Sequence, residues 1–196
     1  MNTTSSNGST PGTGQGHELT TAPVSADMPR WEHTLRNGKS VTIRPLRKED
    51  AELERRFIDA LCAQSRRFRF LGQISSASPE LVRQLTDIDY VHDVAFVAVA
   101  DVDGEQREIG VARYSVADDG RSCECAVTVG DAFHGQGLGT LLMTHLIDVA
   151  RGRGIREMFS IDAAENAPMR ELAHDLGFRR EYDPEDAAQV IHRLAL

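Results

Sequence analysis

The sequence predicts a single α/β domain with a mixed, mostly antiparallel central sheet flanked by helices. Three observations carry that expectation. Three strand-like segments follow one another between Val94 and Val129, split by short acidic and glycine turns. A glycine-rich corner, Gly135 to Gly139, then separates the last of them from an amphipathic helix. Beyond that helix the order strand, helix, strand, strand adds further strands to the same sheet. With 196 residues, 40% of them hydrophobic, the chain can bury one core and is short for two.

Residues 1–30 are rich in Ser, Thr, Gly and Pro and poor in large apolar side chains. They are expected to form a flexible tail, with the folded domain spanning 31–196. Ser40 to Arg44 reads as a short strand ended by Pro45. A helix is expected over Lys48 to Leu61, because Ala51, Leu53, Phe57, Ile58 and Leu61 share one face at a 3.6-residue period. Gln64 to Phe70 reads as a second short helix. Ser78-Pro79-Glu80 combines an N-cap, a first-turn proline and an acid, and starts a third helix through Thr86. Val94 to Val102 is nearly continuous apolar, as in a central strand. Asp101 to Gly104 turns the chain, Glu108 to Val116 pairs back, Asp118-Asp119-Gly120 turns it again, and Cys123 to Val129 is the next strand. Gly137 to Arg153 is an amphipathic helix, Glu157 to Asp162 a strand and Asn166 to Leu176 a helix. Phe178 to Tyr182 and Gln189 to Leu194 close the domain as strands.

A formal net charge of −8 argues against nucleic acid, which calls for clustered Lys and Arg. It suits a cationic substrate, and equally a protein that is acidic only for solubility. No apolar run approaches the roughly 18 residues of a membrane span. No basic segment with an apolar core behind it opens the chain, so no export signal is expected. Cys62, Cys123 and Cys125 are odd in number and lack CxxC spacing. Disulfides and a metal site are therefore not expected; buried packing in a reducing cytoplasm is.

The strongest local signal is Phe133-His134-Gly135-Gln136-Gly137-Leu138-Gly139-Thr140, between a strand and a helix. Glycines there let the backbone turn tightly and aim successive N–H groups outward. The first helical turn adds unpaired donors and the positive end of its dipole, so the corner suits phosphate oxygens. No Lys follows the last glycine, which rules out a Walker loop. Thr140 stands where a dinucleotide loop needs its third glycine. What remains resembles the Q/R-x-x-G-x-G/A signature of the GNAT superfamily of N-acetyltransferases. Gly137 and Gly139 match its last two fixed positions, and His134 stands where Gln or Arg is usual.

Downstream, Ser160-Ile161-Asp162-Ala163-Ala164-Glu165-Asn166-Ala167-Pro168-Met169, with Leu172 and Leu176-Gly177-Phe178, resembles the strand–Asn–helix–Gly-Phe block of the same family. Asn166 reads as well as a plain helix N-cap, and the two readings are compatible. Val41 to Leu46 with Glu49-Asp50-Ala51 is similar to the family's first strand and helix start. The resemblance implies the GNAT fold, acetyl-CoA as co-substrate and no metal. It also implies a cofactor site made by Val127, Thr128 and Val129 on the strand. His134, Gly135, Gln136, Gly137, Leu138, Gly139 and Thr140 would join it from the corner, and Asn166 and Met169 from the later block. Within the superfamily, Glu124 to Val129, Ser65 to Phe70 and Asn166 to Met169 resemble the bacterial Pat-type protein lysine acetyltransferases. That implies a protein lysine as acceptor, with an acyl-CoA synthetase as the target.

Acetyl transfer to an amine needs the amine neutral, and at pH 7 deprotonating a lysine of pKa about 10.4 costs roughly 4.6 kcal/mol. Glu124 lies in an otherwise apolar strand near the corner, on the face shared with Ala126 and Thr128. The resemblance implies that it is the general base, made more basic by burial. A backbone N–H of the same strand, that of Val127, is placed to stabilise the carbonyl oxygen as it gains charge. The Val127 and Val129 main chains are placed to pair with the pantetheine amides. Many of these enzymes protonate the departing thiolate with a Tyr; here that position is Ala173, and neighbouring His174 is expected to point elsewhere. His92, Asp93 and Asp162 are weaker site candidates. Three other readings stay open: acetylation of a small amine, a non-catalytic acetyl-CoA sensor, and a structural domain whose glycine corner is only a turn. Oligomeric state is not legible.

Overall fold

β3 (Asp93–Val102) is apolar at nearly every position because both of its faces are covered. Phe96, Ala98 and Ala100 pack into one core with Leu142, Met143 and Leu146 of α4 (Leu138–Gly152). Ala95, Val97 and Val99 pack into a second with Phe57 and Ile58 of α1 (Ala51–Ala60) and with Val82 and Leu85 of α3 (Pro79–Thr86). The computed structural model describes residues 29–72 and 76–196, so the expected tail, except Pro29 and Arg30, lies outside the described residues.

The remaining strands are β1 (Trp31–Thr34), β2 (Ser40–Pro45), β4 (Glu105–Val116), β5 (Ser122–Val129), β6 (Glu157–Ala163), β7 (Arg179–Tyr182) and β8 (Gln189–Ala195). All eight form one sheet in the order β1-β2-β3-β4-β5-β6-β8-β7. Every pairing is antiparallel except β5 with β6, which are joined through α4. The helices α2 (Ala63–Phe70) and α5 (Ala167–Asp175) complete the fold.

The parallel pair decides where a ligand can go. β5 meets β6 only from Ser122 to Glu124, opposite Glu157 to Phe159. Beyond that point β6 stays with β8 as far as Ala163, and β5 stays with β4 as far as Val129. The two strands part, and the sheet opens in the middle.

Most elements lie within a residue or two of their sequence expectations. Three differ. β1 was not expected; it is a four-residue edge strand paired with β2 through a turn at Asn37-Gly38, where Gly38 has φ +81°. Asn-Gly between two strand-like runs is a strong hairpin signal. The helix expected from Lys48 begins as a 3-10 turn, and α1 proper starts at Ala51. There Asp50 is spent on a bidentate pair with Arg44 (2.7 and 2.8 Å) and on the Arg47 N–H (2.8 Å). β4 starts at Glu105, three residues early, because its ladder to β3 runs from the turn onward.

Candidate active site

Gly137 caps α4 in the left-handed region, φ +85°, and offers no side chain to the helix. The N–H groups of Leu138, Gly139 and Thr140 thus lack an intrahelical partner and a cap. Gly135 is also left-handed, φ +70°. Gly139 instead makes room for close packing: a Cβ there would sit 3.2 Å from Leu172 Cδ2 of α5, which would have to give by a few tenths of an ångström. The corner is therefore a tight bend of bare peptide at the positive end of a 15-residue helix.

Register places a second set of peptide groups beside it. The bonds Ala117 N–Ser122 O and Gly130 N–Ile109 O, both 2.9 Å, mark the two ends of the β4–β5 ladder. Hydrogen-bonded pairs alternate along such a ladder, so Glu124, Ala126 and Thr128 bond to β4. Val127 and Val129 then turn their N–H and C=O toward the edge that β6 has left. Orphaned strand edges of this kind are satisfied by an added strand or a ligand. His134 takes one of the groups, its Nε2 bonding the Val129 carbonyl at 2.9 Å.

The parting strands, the glycine corner, α2 and α5 enclose a cleft of about 720 Å³, within the range that holds a cofactor-sized ligand. α2 is pinned over it by Asp131, whose carboxylate accepts from Ser65 Oγ (2.6 Å) and from the Cys62 N–H (2.7 Å). Cys62 is thus exposed and caps α2, contrary to the buried packing expected of all three cysteines. Asn166 caps α5, its Oδ1 accepting from the Met169 N–H at 3.2 Å, and still lines the cleft. Arg67 of α2 pairs with Glu165, which precedes α5.

Of the sequence-predicted site residues, Glu124, Val127, Thr128, Val129, His134, Gly135, Gly137, Leu138, Gly139, Thr140, Asn166 and Met169 all line this cleft. Gln136 does not line it; its carbonyl faces the β1–β2 turn and accepts from the Arg36 N–H. Thr128 contributes to the wall, with its main chain spent on β4. Asp162 lines the cleft, whereas His92 and Asp93 lie outside it. His174 is 88% exposed and points away, as expected. Arg36 and Arg69 line the cleft and were missed from sequence. The Asn37-Gly38 hairpin signal was the available clue to Arg36.

Glu124 is exposed in the cleft wall, so the protein's own atoms do not supply the burial expected for it. No hydrogen bond or ion pair holds its carboxylate among the described residues, which leaves it available to a ligand. Burial, and next the Arg113 charge, pull the Arg69 guanidinium down to about 10, against the opposing pull of Glu54 and Glu124. Arg69 therefore stays cationic at neutral pH within electrostatic reach of Glu124. Burial pushes the Cys123 thiol up to about 12 and raises Cys125 well above the thiol range. Both stay protonated at neutral pH, which makes them poor nucleophiles. Acidic, cysteine and histidine side chains do not cluster as a metal site among the described residues.

A bend of bare peptide N–H groups joined to an open strand edge suits a long ligand with an anionic end and hydrogen-bonding groups along its length. Comparison with known proteins agrees. The Acetyltransferase (GNAT) family matches residues 60–178. An acetyltransferase of Pseudomonas aeruginosa is 54% identical over 166 residues, covering 85% of this chain and 89% of that protein. The chain belongs to the GNAT family of N-acetyltransferases, enzymes that use acetyl-CoA as co-substrate. Among solved structures, the GNAT domain of S. lividans PAT superposes with a TM-score of 0.77 at 26% identity, covering 85% of this chain and 97% of that one. A cAMP-binding acyltransferase from Mycobacterium smegmatis shares the fold, with a TM-score of 0.58 at 22% identity, and covers 85% of this chain and 47% of that one.

Proposed function

We propose that this enzyme passes acetyl from acetyl-CoA directly to an amine, the ε-amino group of a protein lysine, with Glu124 as general base. The observation that carries the reading is the placement of an unpaired carboxylate on the wall of the same cleft as the orphaned edge of β5. The coenzyme supplies a thioester carbonyl activated toward amines. The N–H groups at Leu138, Gly139 and Thr140 hold its diphosphate. The Val127 carbonyl and the Val129 N–H, both facing the open edge, bond the amides of its arm. The Val127 N–H meets the carbonyl oxygen as charge develops there. Glu124 takes the proton of the attacking amine, and its basicity rises as coenzyme and acceptor exclude water around it. Ala173 is buried and supplies no acid to the leaving thiolate.

The likeness to the GNAT domain of S. lividans PAT accords with the Pat-type resemblance of the sequence, which implies a protein lysine as acceptor and an acyl-CoA synthetase as the target class. The three free thiols fit a cytoplasmic protein. Glu124→Gln is the test. Acetyl transfer should fall about 10²- to 10⁴-fold while calorimetric binding of coenzyme A is retained. Undiminished turnover would place the base elsewhere. Coenzyme binding with no transfer to any amine would make the protein a sensor. Mapping lysines labelled in a lysate, against turnover of free amines, separates the two acceptor classes.

A further inference from the structure

The glycine corner is short of positive charge. Residues 134–140 contain no Lys or Arg, and the one basic ring there, His134, is engaged with the Val129 carbonyl. Backbone dipoles alone would face a diphosphate that carries two negative charges. The hairpin between β1 and β2 brings a cation to this place from about a hundred residues earlier. The Arg36 N–H donates to the Gln136 carbonyl at 3.3 Å, and Arg36 Nη1 donates to the Gly135 carbonyl, also at 3.3 Å. Arg36 Nε lies 3.8 Å from where a Cβ on Gly137 would stand. The guanidinium thus seats against the bend itself and lines the cleft. It forms no ion pair with a carboxylate among the described residues. Four of its five N–H donors remain after the bond to Gly135. That bond also holds the Gly135 carbonyl toward Arg36, so the neighbouring N–H groups keep their outward aim.

On the reading that the cleft takes acetyl-CoA, we infer that Arg36 is the cation that binds the coenzyme's diphosphate, supplying the Lys or Arg charge that residues 134–140 lack. Lys at this position would keep the charge and lose the fork; Gln would keep a donor for the Gly135 carbonyl and lose the charge. The test is calorimetric binding of three compounds to the full chain: coenzyme A, 3′-dephospho-coenzyme A and pantetheine. Arg36→Gln should weaken the first two equally, by about five- to tenfold, and leave pantetheine unchanged. The salt dependence of binding should become shallower, and Arg36→Lys should recover most of the loss. Unfolding midpoints confirm that each variant is folded; the exposed position makes this the expected result. Unchanged affinity for coenzyme A overturns the inference. So does a loss confined to coenzyme A, which would assign Arg36 to the 3′-phosphate. An equal loss on pantetheine would reduce Arg36 to shaping the loop. Failure of the unaltered protein to bind coenzyme A would strike the acetyl-CoA reading itself.

Discussion

At the scale of single residues, two glycines of the corner are needed for different reasons. Gly139 leaves room for Leu172, whereas a Cβ on Gly137 would meet only Arg36 Nε, at an ordinary 3.8 Å, so that glycine is needed for its backbone, at φ +85°. Gly137→Ala would force an L side chain into the left-handed region at the helix cap. It should lower stability by about 1 kcal/mol and weaken coenzyme A binding, as seen in the unfolding midpoint and by calorimetry. If both stay unchanged, the bend is more tolerant than its geometry implies. The spacing of these glycines was legible in the sequence because only a handful of ligand corners use such a pattern. The setting of Glu124 was not. Its place in a strand followed from alternation, but its exposure depends on where β6 leaves β5.

At the scale of elements, the β1–β2 hairpin is held by an unusual clasp. The Trp31 ring stacks on His145 of α4 at 3.9 Å and meets Phe96 edge-on at 5.2 Å. His33 Nε2 and His145 Nε2 lie 2.8 Å apart, so one must donate and the other accept. Burial first, and then the charge of His33, lower the His145 pKa below 6.5, with Asp148 opposing. The unfolded chain therefore binds the extra proton more readily, and stability is lost as pH falls from about 6.5 toward the folded value. The urea midpoint should be lower at pH 5.5 than at pH 7.5, and His145→Phe should flatten that difference. An unaltered slope in the variant would place the titration elsewhere. No periodicity rule pairs residues 33 and 145; the contact exists only once α4 lies across the sheet.

At the scale of the whole molecule, the sheet face opposite α4 encloses charge. Glu54 of α1, buried at 1% exposure, lies 3.5 Å from the Arg113 guanidinium of β4, and Glu108 of β4 is buried nearby. Burial, and then Glu54, raise Glu108 well above the carboxylate range. The folded chain holds that proton where the unfolded chain would release it, so stability is lost as pH climbs past the unfolded value. Glu108→Gln should stabilise the protein by about 1 kcal/mol or more at pH 8 and change little near pH 4, measured by urea unfolding. A loss of stability at pH 8 would show that the ionised carboxylate is favourable there. The sequence expected α1 to bury Leu53 and Ala51, not Glu54; helical periodicity counts apolar side chains and misses an acid that follows an arginine inward. Apart from β1, the order of elements, the antiparallel run of β3 to β5, the glycine corner and the cap at Asn166 were readable along the chain. Each is decided by residues close in sequence: alternation, turn chemistry, backbone freedom. The parting of β5 from β6, the reach of Arg36 to the corner, the histidine clasp and the buried acid pair were settled by folding alone. They join segments dozens to more than a hundred positions apart, and local patterns hold no record of which distant side chains the packed sheet brings within a few ångströms.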